Sequence, residues 1–175
     1  MEAIIYKTNT GSTAQYAKML AEKTGLPAFS IEEAKSKVEA GSEIIYLGWI
    51  MAAQVKGYKM AAKKYKVKAV CAVGMEKTGT RTEEIRKKTC VPDEIPLFTL
   101  QGNFDVKKLH GFYRLMMNLM VKMVTKQLGE KADRTQRENE MLEIMLRGGE
   151  NVREENLGEV LDWLKSETAA QIQEN

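Results

Sequence analysis

Two stretches constrain the fold more than any other feature. Residues 43–49 (Glu-Ile-Ile-Tyr-Leu-Gly-Trp) and 67–74 (Val-Lys-Ala-Val-Cys-Ala-Val-Gly) are nearly continuous apolar runs of strand length. A strand with one wet face alternates polar and apolar side chains; a run with so few polar positions reads as a strand covered on both faces, which calls for a parallel sheet with helices on each side. The neighbouring patterns fit that plan. Residues 2–7 form a short β-rich run. A helix pattern over 13–23 places Ala14, Ala17, Leu20 and Ala21 at helical spacing, and residues 26–29 read as a second strand. Ser30 and Glu33 have the spacing of a capping box for a short helix ending near Gly41. A helix over 54–65 separates the two apolar runs, and residues 95–100 form a fifth strand. The alternation predicts an α/β doubly wound, five-stranded parallel sheet with right-handed crossovers. Pro27 and Pro96 fall in the second and fifth strands. Proline is tolerated mainly at sheet edges, and these strands are the edges in the order 2-1-3-4-5. Its 175 residues suffice for one such domain, expected over 1–166 with a polar tail over 167–175.

The turn after the first strand carries the strongest chemical signal. Thr8-Asn9-Thr10-Gly11-Ser12-Thr13 sets four hydroxyls around one glycine directly before a helix. The first N–H groups of a helix lack intrahelical acceptors and face the positive end of its dipole, so an anion is favoured there. Hydroxyls suit a phosphate monoester, which takes many donors on its oxygens. Ser12 and Gln15 have capping-box spacing and set the expected helix start. Neither a Gly-Lys-Ser/Thr ending nor a G-x-G-x-x-G loop is present, which argues against ATP and dinucleotides at this turn. Other classes fall away on composition. The single histidine, His110, cannot build a His-based metal site, so no metal is expected. Cys71 and Cys90 are too few for a disulfide framework, and Cys71 reads as a small buried hydrophobe. A formal charge of +3 without aromatic or basic nucleic-acid motifs points away from nucleic acid. The opening Met-Glu-Ala-Ile-Ile-Tyr lacks a basic n-region and an apolar h-region, and no apolar run is long enough to span a membrane, so the expectation is a cytoplasmic protein.

Thr8, Thr10, Gly11 and Thr13 match without a gap the phosphate signature T-x-T-G-x-T of the flavodoxin family, which the strand–helix order through Gly102 also resembles. The resemblance implies a flavodoxin-like fold and FMN held non-covalently. It also implies that the flavin ring lies between the loops after strands three and four, here Trp49-Ile50-Met51-Ala52-Ala53-Gln54 and Gly74-Met75-Glu76-Lys77-Thr78-Gly79. Trp49 suits a ring face through stacking and its indole donor; the alternative is a core tryptophan at a strand end. The second loop has no aromatic residue and few acids, so ring contacts there fall to backbone amides.

After Gln101-Gly102 comes a helical insertion after strand five, at about 103–150. Its strongest helix pattern, over 109–128, is rich in methionine (Met116, Met117, Met120, Met123), with Arg114, Asn118, Lys122 and Lys126 as one narrow polar stripe. Almost all the rest is apolar, more than one packing face requires. Residues 103–128 hold Lys107, Lys108, Arg114, Lys122 and Lys126 against Asp105, a net +4. Basic and apolar together suit a membrane surface over 105–128 or a pocket for an apolar anion; packing within the domain or in a homo-oligomer is the other account. Gly102-Asn103-Phe104, the basic residues that follow, and Gly111-Phe112-Tyr113-Arg114-Leu115-Met116-Met117 onward to Met123 resemble the long inserted loop of the flavodoxin-like, quinone-dependent protoporphyrinogen oxidases. That resemblance implies an oxidoreductase acting on an apolar substrate or a quinone, peripheral at the inner face of the membrane. A soluble electron carrier serving partner flavoproteins and a flavin-free binding module are the alternatives. No general acid or base is identifiable. Helices near 134–146 and 153–165 complete the chain, the latter facing inward through Leu157, Val160, Leu161 and Leu164.

Overall fold

In the computed structural model, which describes residues 1–103 and 111–173, both apolar runs are central strands. The sheet contains β1 (Ala3–Lys7), β2 (Ala28–Ser30), β3 (Glu43–Met51), β4 (Gln54–Val55), β5 (Lys66–Gly74) and β6 (Leu97–Gln101). The path runs β2-β1-β3-β5-β6, all parallel, and β4 pairs antiparallel with β3 off this path. This is the flavodoxin-like doubly wound order, with one extra short strand.

Alternation along each strand divides the core into two layers. Ala3, Ile5, Ile44, Tyr46, Val67, Val70 and Ala72 face α2 (Ala34–Lys37), α3 (Tyr58–Lys64) and α4 (Thr82–Thr89). Ile4, Ile45, Leu47, Ala69, Cys71 and Val73 face α1 (Ser12–Thr24) and α7 (Gly158–Gln173). Ile4, Ile5, Ile44, Ile45, Leu47 and Val70 are wholly buried. At about 1.5–3 kcal/mol for each such side chain, their burial offsets the roughly 1–2 kcal/mol of backbone entropy lost per residue. Cys71 is wholly buried as expected, and burial pushes its thiol up to about 12.

Several expected boundaries move, each for a local reason. The second strand begins at Ala28 and the last at Leu97, so Pro27 and Pro96 precede the edge strands rather than lie in them. Their carbonyls still accept from the inner neighbours, Ile4 N–H at 2.9 Å and Val70 N–H at 2.9 Å. Ser30 and Glu33 do form the reciprocal box, Glu33 N–H to Ser30 Oγ at 3.2 Å and Ser30 N–H to Glu33 Oε2 at 2.9 Å, but α2 ends at Lys37, short of Gly41. The helix expected over 54–65 is split. Gln54 and Val55 return along β3 as β4, and α3 starts only at Tyr58. The hydroxyl of Thr89 accepts from Val55 N–H at 3.0 Å, anchoring the return strand to the end of α4. At the far end α7 continues to Gln173 instead of stopping at Lys165, with the Thr168 hydroxyl donating to Leu164 O at 2.9 Å.

The chain divides into two units, residues 1–102 with 152–175 and residues 103–151. Within the second, α5 (Gly111–Gly129) packs with α6 (Gln136–Arg147). Arg134 closes the end of α5 by donating from Nη1 to Leu128 O at 2.6 Å. Glu138 caps the start of α6, accepting from Thr135 N–H at 2.8 Å while Thr135 Oγ1 accepts from Glu138 N–H at 3.3 Å. Lys131 Nζ lies 2.8 Å from Glu138, and this contact, ahead of the Thr135 amide, lowers the carboxyl to about 2. Phe104, Asp105, Lys107, Lys108, Leu109 and His110 lie outside the described residues. Among the described residues no helix is long and apolar enough to cross a membrane.

Thr99 in β6 is 5% exposed, and among the described residues its hydroxyl is the buried side-chain oxygen without a hydrogen-bond partner. Leaving such a group unpaired costs at least about 1 kcal/mol. Thr99→Val is expected to stabilise the fold by about that amount, seen as a higher urea midpoint at unchanged m-value. A lower midpoint would mean that the hydroxyl contributes a bond.

Candidate functional site

Parallel pairing brings the carboxyl ends of β1, β3, β5 and β6 to one edge. Lys7 stands opposite Gly48, Gly48 opposite Ala72, Trp49 opposite Val73, and Gly74 opposite Gln101. The chain leaves β1 through α1 on one face of the sheet and reaches β3 through α2 on the other. Adjacent strands whose connections diverge leave a crevice at their carboxyl ends, where doubly wound folds place ligands.

The turn 8–13 lies at that edge. Gly11 is the N-cap of α1, with φ 99°, a left-handed conformation that glycine adopts without the Cβ penalty. No side-chain cap hydrogen bond is made and the first turn carries no acid. This corrects the expected capping box: Ser12 is already helical, and it is the carbonyl of Gly11 that accepts from the Gln15 amide at 3.0 Å. The Gly11 N–H donates to Thr8 Oγ1 at 3.1 Å, which folds the turn back on itself. Ser12 and Thr13 are buried at 5% and 1% exposure, Thr10 is half-buried, and Thr8 and Asn9 are exposed. A Cβ built at Gly11 would meet nothing within 4 Å, so the backbone can be approached closely here. Helix N–H groups with no internal anion beside them, together with neutral hydroxyls, form a donor set that fits a phosphate.

The first expected ring loop proves largely strand. Trp49, Ile50 and Met51 belong to β3, and Ala52-Ala53 alone make the turn, with φ of 51° and 58°. Two central residues at positive φ are what a two-residue hairpin twisting with its strands requires, although alanine is an unusual choice for it. Trp49 is half-buried, and its carbonyl accepts from Lys56 N–H at 2.9 Å.

The second loop is tied to β6. Gln101 N–H donates to Thr78 Oγ1 at 3.1 Å, Gly79 N–H to Thr99 O at 3.0 Å, and Gln101 Nε2 to Met75 O at 3.3 Å. Arg81 clamps it from the side of α4, reaching Glu76 at 2.6 Å and Glu84 at 2.6 and 2.7 Å. Hydrogen bonding from Arg81 holds the Glu84 carboxyl below its ordinary range. Glu76 is paired in this way, and Lys7 and Lys56 stand across the edge.

Gly102 joins the two halves. Its N–H donates to Gly74 O at 2.6 Å, and a Cβ built there would stand 3.2 Å from the Ser12 Cβ and 3.0 Å from Val73 Cγ1. The end of β6 therefore lies directly against the first turn of α1. The phenol of Tyr16 holds it there, donating to Gln101 O at 2.5 Å and accepting from Asn156 Nδ2 at 2.6 Å. Burial raises the Tyr16 pKa and the Asn156 bond lowers it, with burial prevailing, so the donor proton stays on at neutral pH. Sequence reasoning stopped at Gln101-Gly102 as a strand end and passed over Tyr16. A glycine closing an apolar strand was the available signal of close approach.

Residues 3–131 match the family model described as a flavodoxin domain. No curated protein and no solved structure matches the chain. Among the described residues there is no cluster of His, Cys, Asp and Glu able to hold a metal ion.

Because three neighbours stand within 3.0–3.3 Å of a Cβ at Gly102, Gly102→Ala is expected to cost about 1–2 kcal/mol by overpacking. Thermal unfolding measures it; an unchanged midpoint would mean that the two loops are not held at this point.

Proposed function

The chain belongs to the flavodoxin family, and from that premise we propose that it is an FMN-dependent oxidoreductase whose substrate is apolar and carboxylate-bearing or a quinone, with the reaction of the quinone-dependent protoporphyrinogen oxidases as its closest model. One observation carries the flavin reading: a turn of hydroxyls caps α1 with a glycine and no acid, leaving the helix start to an external phosphate. Thr8, Thr10, Gly11 and Thr13 would hold the phosphate, with Asn9 and Ser12 completing the turn. Trp49 to Ala52 and Gly74 to Gly79 would flank the ring. Bound FMN supplies the electron transfer, and this chain's residues bind, orient and set the charge around it.

The surroundings favour an acceptor of substrate electrons over an electron carrier. Carriers of this fold dock through an acidic face at the flavin edge. Here Lys7 and Lys56 stand at the carboxyl edge of the sheet, and Glu76 is paired with Arg81. The insertion adds the second support, since its sequence resembles the long loop of the protoporphyrinogen oxidases and α5 is both basic and apolar.

Two experiments test the reading. Thr10→Glu sets a carboxylate beside a phosphate dianion at the helix start, and like charges there repel strongly. The variant is expected to purify without FMN, read by visible absorbance, while circular dichroism stays native; stoichiometric FMN in the variant would refute the phosphate assignment. Deleting residues 105–128 is expected to leave FMN bound and abolish oxidation of protoporphyrinogen IX with a quinone acceptor. No oxidation by the intact protein with any quinone would end the substrate proposal, and loss of FMN on deletion would give the insertion a packing role instead.

A further inference from the structure

Among the described residues the half-buried lysines are Lys7, Lys56, Lys64, Lys68 and Lys131. Three of them have an oxygen to face. Lys64 Nζ donates to Lys35 O at 2.9 Å, Lys68 Nζ lies 4.0 Å from Glu43, and Lys131 Nζ lies 2.8 Å from Glu138. Lys7 and Lys56 have neither an ion pair nor a side-chain hydrogen bond among the described residues. These two meet at one corner of the carboxyl edge. A Cβ built at Gly57 would stand 3.0 Å from Lys7 Cδ, so the Lys7 stem lies against the backbone next to Lys56, with its ammonium just beyond. That backbone is fixed. Lys56 N–H donates to Trp49 O at 2.9 Å, and Lys56 O accepts from the Tyr46 phenol at 2.7 Å. Gly48, opposite Lys7 in the sheet, lets the return strand close in, since a Cβ there would stand 2.7 Å from Lys56 O. Burial above all, with the charge of Glu32 adding to it, raises the Tyr46 pKa, so the phenol keeps the proton it donates. Glu32, whose charge reaches this corner, is exposed and pairs with neither lysine.

We propose that Lys7 and Lys56 form the subsite for a carboxylate of the substrate. Lysines withdrawn from water are ordinarily paired, and two neighbouring ones without an anion lose hydration and repel each other. A bound carboxylate removes both costs. Stems packed along backbone keep the charged heads at the edge of the crevice, where such a ligand arrives. Trp49, whose carbonyl anchors Lys56, is the residue expected at the flavin face, so a carboxylate held here tethers an apolar body near the ring. A quinone carries no charge for the pair to meet, so the subsite selects the carboxylate-bearing substrate of the two classes proposed above. The assignment rests on that reading of the substrate.

Tryptophan quenching by protoporphyrin IX, a dicarboxylic acid, and by its uncharged dimethyl ester tests the subsite on the full chain as purified. The acid is expected to bind at least about tenfold tighter than the ester. Lys7→Gln and Lys56→Gln should each weaken the acid about tenfold, the size of one charge-assisted bond, and leave the ester unchanged. Lys63→Gln with Lys87→Gln, both exposed and in the last turns of α3 and α4, should change neither. Equal binding of acid and ester, indifference to both single variants, or an equal loss in the Lys63 and Lys87 pair would overturn the subsite. Loss of FMN from either single variant would give the lysines to the flavin phosphate and overturn it equally. Flavin absorbance of the same samples separates the two readings. Flavin-free protein that prefers the acid through Lys7 and Lys56 upholds the subsite and sinks the FMN proposal, and flavin-loaded protein that ignores the carboxylates does the reverse.

Discussion

Everything in the first unit depends on a parallel ladder that sees water on neither face. In β1, β3 and β5 successive side chains enter opposite core layers, and most of them are wholly buried. A parallel ladder cannot be closed by tight turns, so each pair of strands needs a crossover, and two buried faces need crossovers on both sides. From that follow the split of α1 and α7 to one layer and α2, α3 and α4 to the other. The divergence of the connections around β1 and β3, which opens the carboxyl edge, follows in turn. The site is thus a by-product of how the sheet must be covered, and the residues lining it are free to specialise.

The donors at that edge suit the capture of an anion without spending a charge on it, the role proposed for them. The turn 8–13 offers backbone and hydroxyl donors, and Gly11 caps α1 with no side-chain acceptor of its own. Neutral donors gain little against water in the open, so their precision matters, and that comes from behind. Tyr16, one turn into α1, holds the end of β6 through Gln101, while Gly102 seats that end against Ser12 and Gly74. The loop 74–79 is fixed by the same strand and by the Arg81 clamp.

The second unit obeys a different economy. Its helices are held by end contacts, Arg134 on the last carbonyls of α5 and the Thr135–Glu138 box at the start of α6. Its exposed face combines apolar and basic rows. Apolar side chains kept in water in such order are a cost unless something covers them.

Residues 43–49 and 67–74 by themselves determined the class of fold, because two-sided burial leaves an unmistakable lack of polar positions. The turn 8–13 was equally legible, since its hydroxyls and glycine precede a helix within a few residues. The Ser30–Glu33 box belongs with them, being local in both partners. Tertiary structure alone decided the rest. Ala52-Ala53 carries no turn signal; its positive φ is imposed by the return of β4 along β3 and by Thr89, thirty-four residues from Val55. The helix expected across 54–65 gave way there because one strand pair and one distant hydroxyl outweigh local helical spacing. Gly11 displaced Ser12 as the cap because Ser12 is buried at the meeting point with Gly102, ninety residues on. Local patterns specify elements through neighbours in sequence, whereas these choices rest on partners that only the folded chain brings within a few ångströms.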